Sequence, residues 1–357
     1  MFRILDWYIG RTLIGTSSLC LATLVGLSAI IKFVEQLRSV GDGTYTMGKA
    51  ILYVLLSMPR DIEMFFPMAV LLGALIGLGM LASSSELVVM QAAGVSKLQI
   101  GLSVLKTAIP LMLIVMVLGQ WGAPDAQKAA RELRAIAKSG GNMMSVRRGV
   151  WAKDGDDFIY IARADEQDTL TGVSIWKFDD QQTMTNVVFA ERADYLNKDS
   201  WMLKDVTITR MQNQTALSNV EQDELVWNTT LTPDKLAVVT VKPEELPLSG
   251  LYSYVSYLKA SQQDASRYEL ALWRKAVQPL SIAVMMLLAL SFVFGPLRSV
   301  TMGARVLSGV IFGFGFYIAN EVFGPMSLVY HLPPAIGAIT PSVIFLVITL
   351  LLLRRKL

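Results

Sequence analysis

Six stretches of the chain carry almost no charge and are long enough to cross a bilayer, which takes about 20 apolar residues per helix. They cover residues 12–31, 64–85, 98–121, 276–297, 304–322 and 335–353. Unbroken hydropathy of that length predicts helices, because a helix satisfies its own backbone polar groups in lipid. Between the third and fourth runs the pattern changes. Phe158–Ile161, Val173–Phe178 and Val206–Thr209 are β-branched and aromatic, and Asp154-Gly155-Asp156, Asp179-Asp180 and Asn197-Lys198-Asp199 punctuate them as turns. Short strands at fairly even spacing predict an all-β unit: a sandwich, a jelly roll or an open barrel. The expected fold is membrane α-helical, with six transmembrane helices, plus an all-β domain. Its three parts are residues 1–125, residues 126–268 with flanking helical connectors, and residues 269–357. Residues 50–58 are apolar but too short to cross. Pro59-Arg60-Asp61 behind them should break or kink a helix, so they read as a leading helix into the second span.

Composition agrees. Hydrophobic residues make up 53% of the 357, mean hydropathy is +0.46 and charged residues are 17%, below the ~25% of soluble domains. The charge deficit sits in the first 125 and last 85 residues. A net charge of +3, with no dense basic block except Arg354-Arg355-Lys356, gives no reason to expect nucleic acid. Cys20 is the one cysteine, so no intrachain disulfide can form, and His331 is the one histidine. Together they exclude the usual His/Cys zinc sites and argue against His-based triads. The first apolar run is long enough to stay in the membrane, so no removable signal peptide is expected. Short-loop cations predict orientation. Nine (Arg3, Arg11, Lys97, Lys106, Arg298, Arg305, Arg354, Arg355, Lys356) face four (Lys32, Arg38, Lys49, Arg60), which puts both termini in the cytoplasm and the β domain outside.

Few segments carry chemistry. Gly43-xxxx-Gly48-Lys49 approximates a phosphate loop, but Ala50 replaces the magnesium-binding Ser/Thr and no strand precedes it. The chain is not expected to bind ATP itself. Gly73/Gly77 and Gly309/Gly313 have the four-residue spacing that lets helices approach closely, within the chain or at a partner. In the loop after the second span, Ser83 and Glu86 have capping-box spacing and open a short apolar segment that Gly94 can close; Ser96 restarts a helix. Such a segment suits docking into a groove on another protein, or is a plain connector. Lys32, Arg60, Arg131, Arg134 and Lys138 are expected near the outer surface, the last three on one helical face. As a cluster they suit an anionic lipid headgroup; for any single one, snorkelling explains as much. Phe65, Phe66, Phe314, Phe316 and Tyr317 stand where they could line a cavity or simply pack, and Glu321 has no assigned role.

Four segments carry a resemblance: SAIIKFVEQLR (28–38), PRDIEMFFPMAVLLGALIGLGMLASSSELVVMQAAG (59–94), NTTLTPDKLAVV (228–239) and QPLSIAVMMLLALSFVFGPLRSV (278–300). With them the whole chain resembles the LptF/LptG permease family of lipopolysaccharide exporters. The resemblance implies a multi-pass subunit of the Gram-negative inner membrane with a periplasmic β-jelly-roll domain. Its implied partners are an LptF-like permease subunit, an LptB-like ATPase dimer, the single helix of an LptC-like protein, and lipopolysaccharide. The cargo would be taken from the outer leaflet and passed to a periplasmic bridge. No cofactor is implied in this chain: ATP and magnesium would sit on the ATPase, and the chain would not be an enzyme. By matching position, Glu86 falls in a coupling helix near 84–94, Lys32, Arg60, Arg131 and Arg134 fall where lipid A phosphates and core sugars are contacted, and Phe65 matches an acyl-contacting position. Where the family can carry a second cation after the first span, this chain has Arg38 followed by Ser39. The implied mechanism moves spans 2 and 3 relative to spans 1 and 5. A membrane scaffold without transport activity is the alternative; an anchored enzyme would need a catalytic cluster that the β region, without histidine or cysteine, does not offer.

Overall fold

The computed structural model describes residues 4–138, 149–155, 157–166, 169–179, 181, 183–197, 200–212, 216–229, 231–233, 242–294 and 300–354. Over their described residues, all six apolar runs fall on helices. They are α1 (Ile4–Leu37), α2 (Met47–Ser83), α4 (Lys97–Val117), α7 (Ser266–Phe294), α8 (Met302–Val329) and α9 (Pro334–Arg354), each long and apolar enough to cross a membrane. A short helix, α3 (Glu86–Ala92), joins α2 to α4, and α4 runs through a π-helical turn, Leu118–Gly122, into α5 (Ala123–Lys138).

The expected break at Pro59 does not occur: α2 runs unbroken through both Pro59 and Pro67. A proline removes one backbone bond, here to the Leu55 carbonyl, and neighbouring helices in a bundle allow the helix to continue past it. Residues 50–58 are therefore the leading turns of the second span itself.

Helix α2 is the central post of the bundle. Leu71, Leu75 and Leu78 share one buried cluster with Ile100 and Val104 of α4 and with Ile282, Met285 and Leu288 of α7. The glycine pairs serve this packing. A Cβ at Gly73 would overlap the backbone of Ser17 in α1, and one at Gly309 of α8 would press on Leu72 and Leu75. Thr16 Oγ1 donates to the Gly73 carbonyl at 2.7 Å, fixing α1 against α2 at that close approach.

The soluble region is one six-stranded antiparallel sheet in sequence order, β1 (Val150–Asp154), β2 (Asp157–Glu166), β3 (Thr169–Phe178), β4 (Met184–Asn197), β5 (Ser200–Gln212) and β6 (Ala216–Asn228). The all-β expectation holds. Among the described residues the strands pair as a meander, and the crossed connections of a jelly roll are absent. Register puts buried residues opposite one another, as in Ile159↔Ile175, Ile175↔Val188 and Val188↔Ile208. The alternation slips at Gly172 (φ +66°) and Asp205 (φ +53°), so that Leu170 with Val173, and Leu203 with Val206, are buried despite an odd spacing. Helix α6 (Leu248–Ala260) covers this face: Tyr254, Val255, Tyr257 and Leu258 pack into one cluster with Trp201 and Leu203.

Candidate functional site

Two polar clusters lie at opposite ends of the bundle. Asp61 and the last residue of α2, Ser83, are 22 positions apart, or about 33 Å at 1.5 Å per residue, close to the thickness of a bilayer's hydrocarbon core.

At the first end, which we call the rim, basic side chains from α1, α2, α5 and α7 meet. Lys32 Nζ is 2.5 Å from Asp61 Oδ1, and Ser28 donates to Oδ2 of the same carboxylate at 3.0 Å. One residue back along α2, Arg60 donates to the Glu244 carbonyl and stands 3.9 Å from the buried Glu63. Lys275 of α7 reaches Glu63 at 3.1 Å and donates to the Gly119 carbonyl in the π turn at 3.2 Å. The turn Pro243–Glu245 brings Glu245 onto Arg131 of α5. One helical turn on, Arg134 lies over the Tyr53 ring at 5.5 Å. Helix α5 can hold these positions because the α1–α2 loop clasps its end: Thr44 N donates to the Ala137 carbonyl at 2.7 Å and Lys138 faces Asp42 at 3.5 Å. The Nε atoms of Arg131 and Arg134 are buried without a hydrogen-bond partner. A planar guanidinium with a spare N–H is well suited to a phosphate oxygen.

At the other end, the capping box expected from Ser83 to Glu86 does not form. Ser83 is still the last residue of α2, and its hydroxyl bonds back to the Met80 carbonyl at 2.8 Å. Ser85 takes the left-handed conformation (φ 64°) and α3 starts at Glu86 without a side-chain cap. Instead the Glu86 carboxylate is held by Ser84 Oγ at 2.9 Å and by Tyr8 Oη of α1 at 2.7 Å. Gly94 closes α3 as expected: its φ is +92°, its N–H bonds to Gln91, and that of Val95 to Met90. The capping box lies one helix later, between Ser96 and Gln99 at the start of α4. Nearby, the buried Asp6 accepts from Lys106 at 2.7 Å and from Ser103, tying α1 to α4.

The profile of the family described as lipopolysaccharide export system permease LptF/LptG matches residues 7–355. The chain belongs to the LptF/LptG family. It is 51% identical to the lipopolysaccharide export system permease protein LptG of Escherichia coli K12, over 99% of both chains. It is 49% identical to LptG of Haemophilus influenzae, over 100% of this chain and 99% of the other. LptF of Escherichia coli K12 is 27% identical over 139 residues, 38% of each chain.

Of the residues the sequence singled out in this LptF/LptG chain, Lys32, Arg60, Arg131 and Arg134 do converge on the rim, linked through Asp61, Glu63, Glu244, Glu245 and Tyr53. Phe65 is half-buried beside them on α2, whereas Phe66 and Phe316 belong to the bundle core. Phe314 is exposed and stacks on Tyr317 at 6.3 Å. Sequence reasoning missed the acids and Lys275. The available signal was Glu63, three residues from Arg60 and thus on its helical face. Glu321, unassigned before, faces Arg274 at 3.8 Å. Part of the NTTLTPDKLAVV and GPLRSV segments lies outside the described residues.

Proposed function

We propose that this chain is the transmembrane permease subunit of an ABC-type exporter that lifts lipopolysaccharide from the outer leaflet of the inner membrane and hands it to a periplasmic bridge. The observation that carries the reading is the basic rim in a chain of this family: four helices contribute cations to one end of the bundle. The cargo's phosphates would sit against Lys32, Arg60, Arg131 and Arg134, with acyl chains against Phe65. Both termini face the cytoplasm and the sheet stands in the periplasm. The permease pairs with an LptF-like subunit and an LptC-like single helix. The energy comes from an LptB-like dimer that holds ATP and magnesium and docks on α3 through Glu86. The partial similarity to an LptF protein is consistent with an LptF-like partner.

The ties to α1 bear on how force travels. Asp6–Lys106 joins it to α4, Tyr8–Glu86 to α3, and Lys32–Asp61 to α2. These ties join span 1 to spans 2 and 3 in this structure, so a movement of spans 2 and 3 relative to spans 1 and 5 would have to break them and make them again in each cycle.

Glu86→Ala in the assembled exporter tests this reading. Lipopolysaccharide capture should persist, while ATP hydrolysis no longer drives release. Normal association with the ATPase together with normal export would overturn the docking assignment. Failure to co-purify any ATPase with the unaltered chain would overturn the exporter reading altogether.

A further inference from the structure

The rim's cations are not bare. Asp61 is 3% exposed and Glu63 6%, and Glu245 is mostly covered. Each meets a cation named above: Lys32, Lys275 with Arg60, and Arg131 respectively. A buried carboxylate is costly unless a cation stays beside it. A phosphate ester brought to Lys32 or Arg131 competes with the acid for the same N–H donors. Every donor it wins leaves the acid short of its partner and close to a second anion. Arg134 differs: it makes no ion pair among the described residues, and its guanidinium rests on an aromatic face.

We infer that Asp61, Glu63 and Glu245 are built-in counter-anions that compete with the lipid's phosphates, holding the rim's affinity low enough for release and reclaiming the cations as cargo leaves. Arg134, without such a competitor, is the donor available at first contact. An exporter needs this balance. A site that binds its cargo tightly in every state gains nothing in turnover, and passage requires binding strong enough to enter and weak enough to leave. The acids are thus specificity and release residues, distinct from the cations that touch cargo. The inference rests on the reading that the rim takes up phosphate-bearing lipid.

The test uses the complete exporter in nanodiscs with purified lipopolysaccharide as probe, measuring its dissociation constant and the lipid released per ATP hydrolysed. Asp61→Asn should bind roughly three- to fivefold tighter, the scale of one partly exposed ion pair removed as competitor, and release less lipid per ATP. Glu245→Gln, on the connector rather than in a span, should do the same, and it decides the matter if Asp61→Asn does not assemble. Weaker or unchanged binding in an assembled variant would overturn the inference, because the acid would then merely hold its cation in place. Lys32→Ala and Arg134→Ala should both weaken binding. If neither does, the cargo-binding reading of the rim fails, whatever the acid variants show.

Discussion

Asp194 lies on β4 between two cations: Arg192 Nε at 2.7 Å on its own strand and Lys204 Nζ at 3.0 Å across the ladder on β5. Partial burial pushes its carboxyl up, but the hydrogen bonds and charges of Arg192 and Lys204 outweigh that and hold it below the usual carboxylate range. A carboxyl whose pKa is lower folded than unfolded stabilises the fold above the unfolded value, about 4, and loses that contribution as pH falls through the folded value. Asp194→Asn should therefore cost about 1 kcal/mol or less at pH 7. The gap to the parent should narrow as pH falls below about 4, the unfolded value. Thermal unfolding of the full chain at about pH 7 and at a series of values below about 4 checks this, and a pH-independent gap would mean that the charge contributes nothing. The same scale shows what the sequence could not reveal. Lys32 and Arg131 are visible as cations at span edges, but their partners Asp61 and Glu245 lie 29 and 114 positions away. No local pattern announces a pairing over that distance.

At the scale of elements, hydropathy located every span, because a run of 20 apolar residues has one physical destination. It did not locate their ends. The helices continue beyond the runs that locate them, α2 on the apolar leading turns Met47–Met58 and span 3 on the polar turns Ala123–Lys138, where contact with neighbouring elements supports them. The short connection α3 was legible from Gly94, whose positive φ a glycine adopts at little cost. Its start was not legible, since three consecutive serines offer equivalent caps and only the packed structure selects among them. Glycine spacing predicted close approach but not its partner, and α1 proves to be the partner of Gly73 and Gly77. The two glycines should not respond alike. A methyl at Gly73 meets backbone, which cannot yield, whereas at Gly77 it meets the side chains of Thr16 and Leu13. Gly73→Ala is expected to destabilise the bundle by roughly 1–3 kcal/mol or more, Gly77→Ala by less. Denaturation in mixed micelles would rank them, and the reverse order would show that α1 is not seated on α2 as described.

For the molecule as a whole, the question is how the bundle and the sheet are joined. Two helices, α2 and α7, converge on the π turn. Glu63 of α2 packs against Gly119, Lys275 of α7 donates to the Gly119 carbonyl, and Gln278 of α7 donates to the Glu63 carbonyl at 3.1 Å. The next residue, Gln120, faces outward from this junction and holds the start of α6. Its Oε1 accepts from Leu248 N at 3.0 Å and its Nε2 donates to Ser249 Oγ at 2.8 Å. Helix α6 in turn covers the sheet, and Tyr257 Oη donates to the Lys153 carbonyl at 2.8 Å. One link from span 3 to the β domain is thus a single side chain at a turn of wide, easily rearranged geometry, beside the Arg131–Glu245 pair further along the same span. Gln120→Ala removes both hydrogen bonds and leaves a helix-start amide unpaired, a loss of about 1–2 kcal/mol. The Leu248 amide should then exchange roughly tenfold faster, and export should fall while lipid capture and ATP hydrolysis continue. If exchange rises and export is unchanged, the sheet takes no part in transmission. If exchange itself stays the same, α6 is held by its apolar face alone and the junction at Gln120 is incidental.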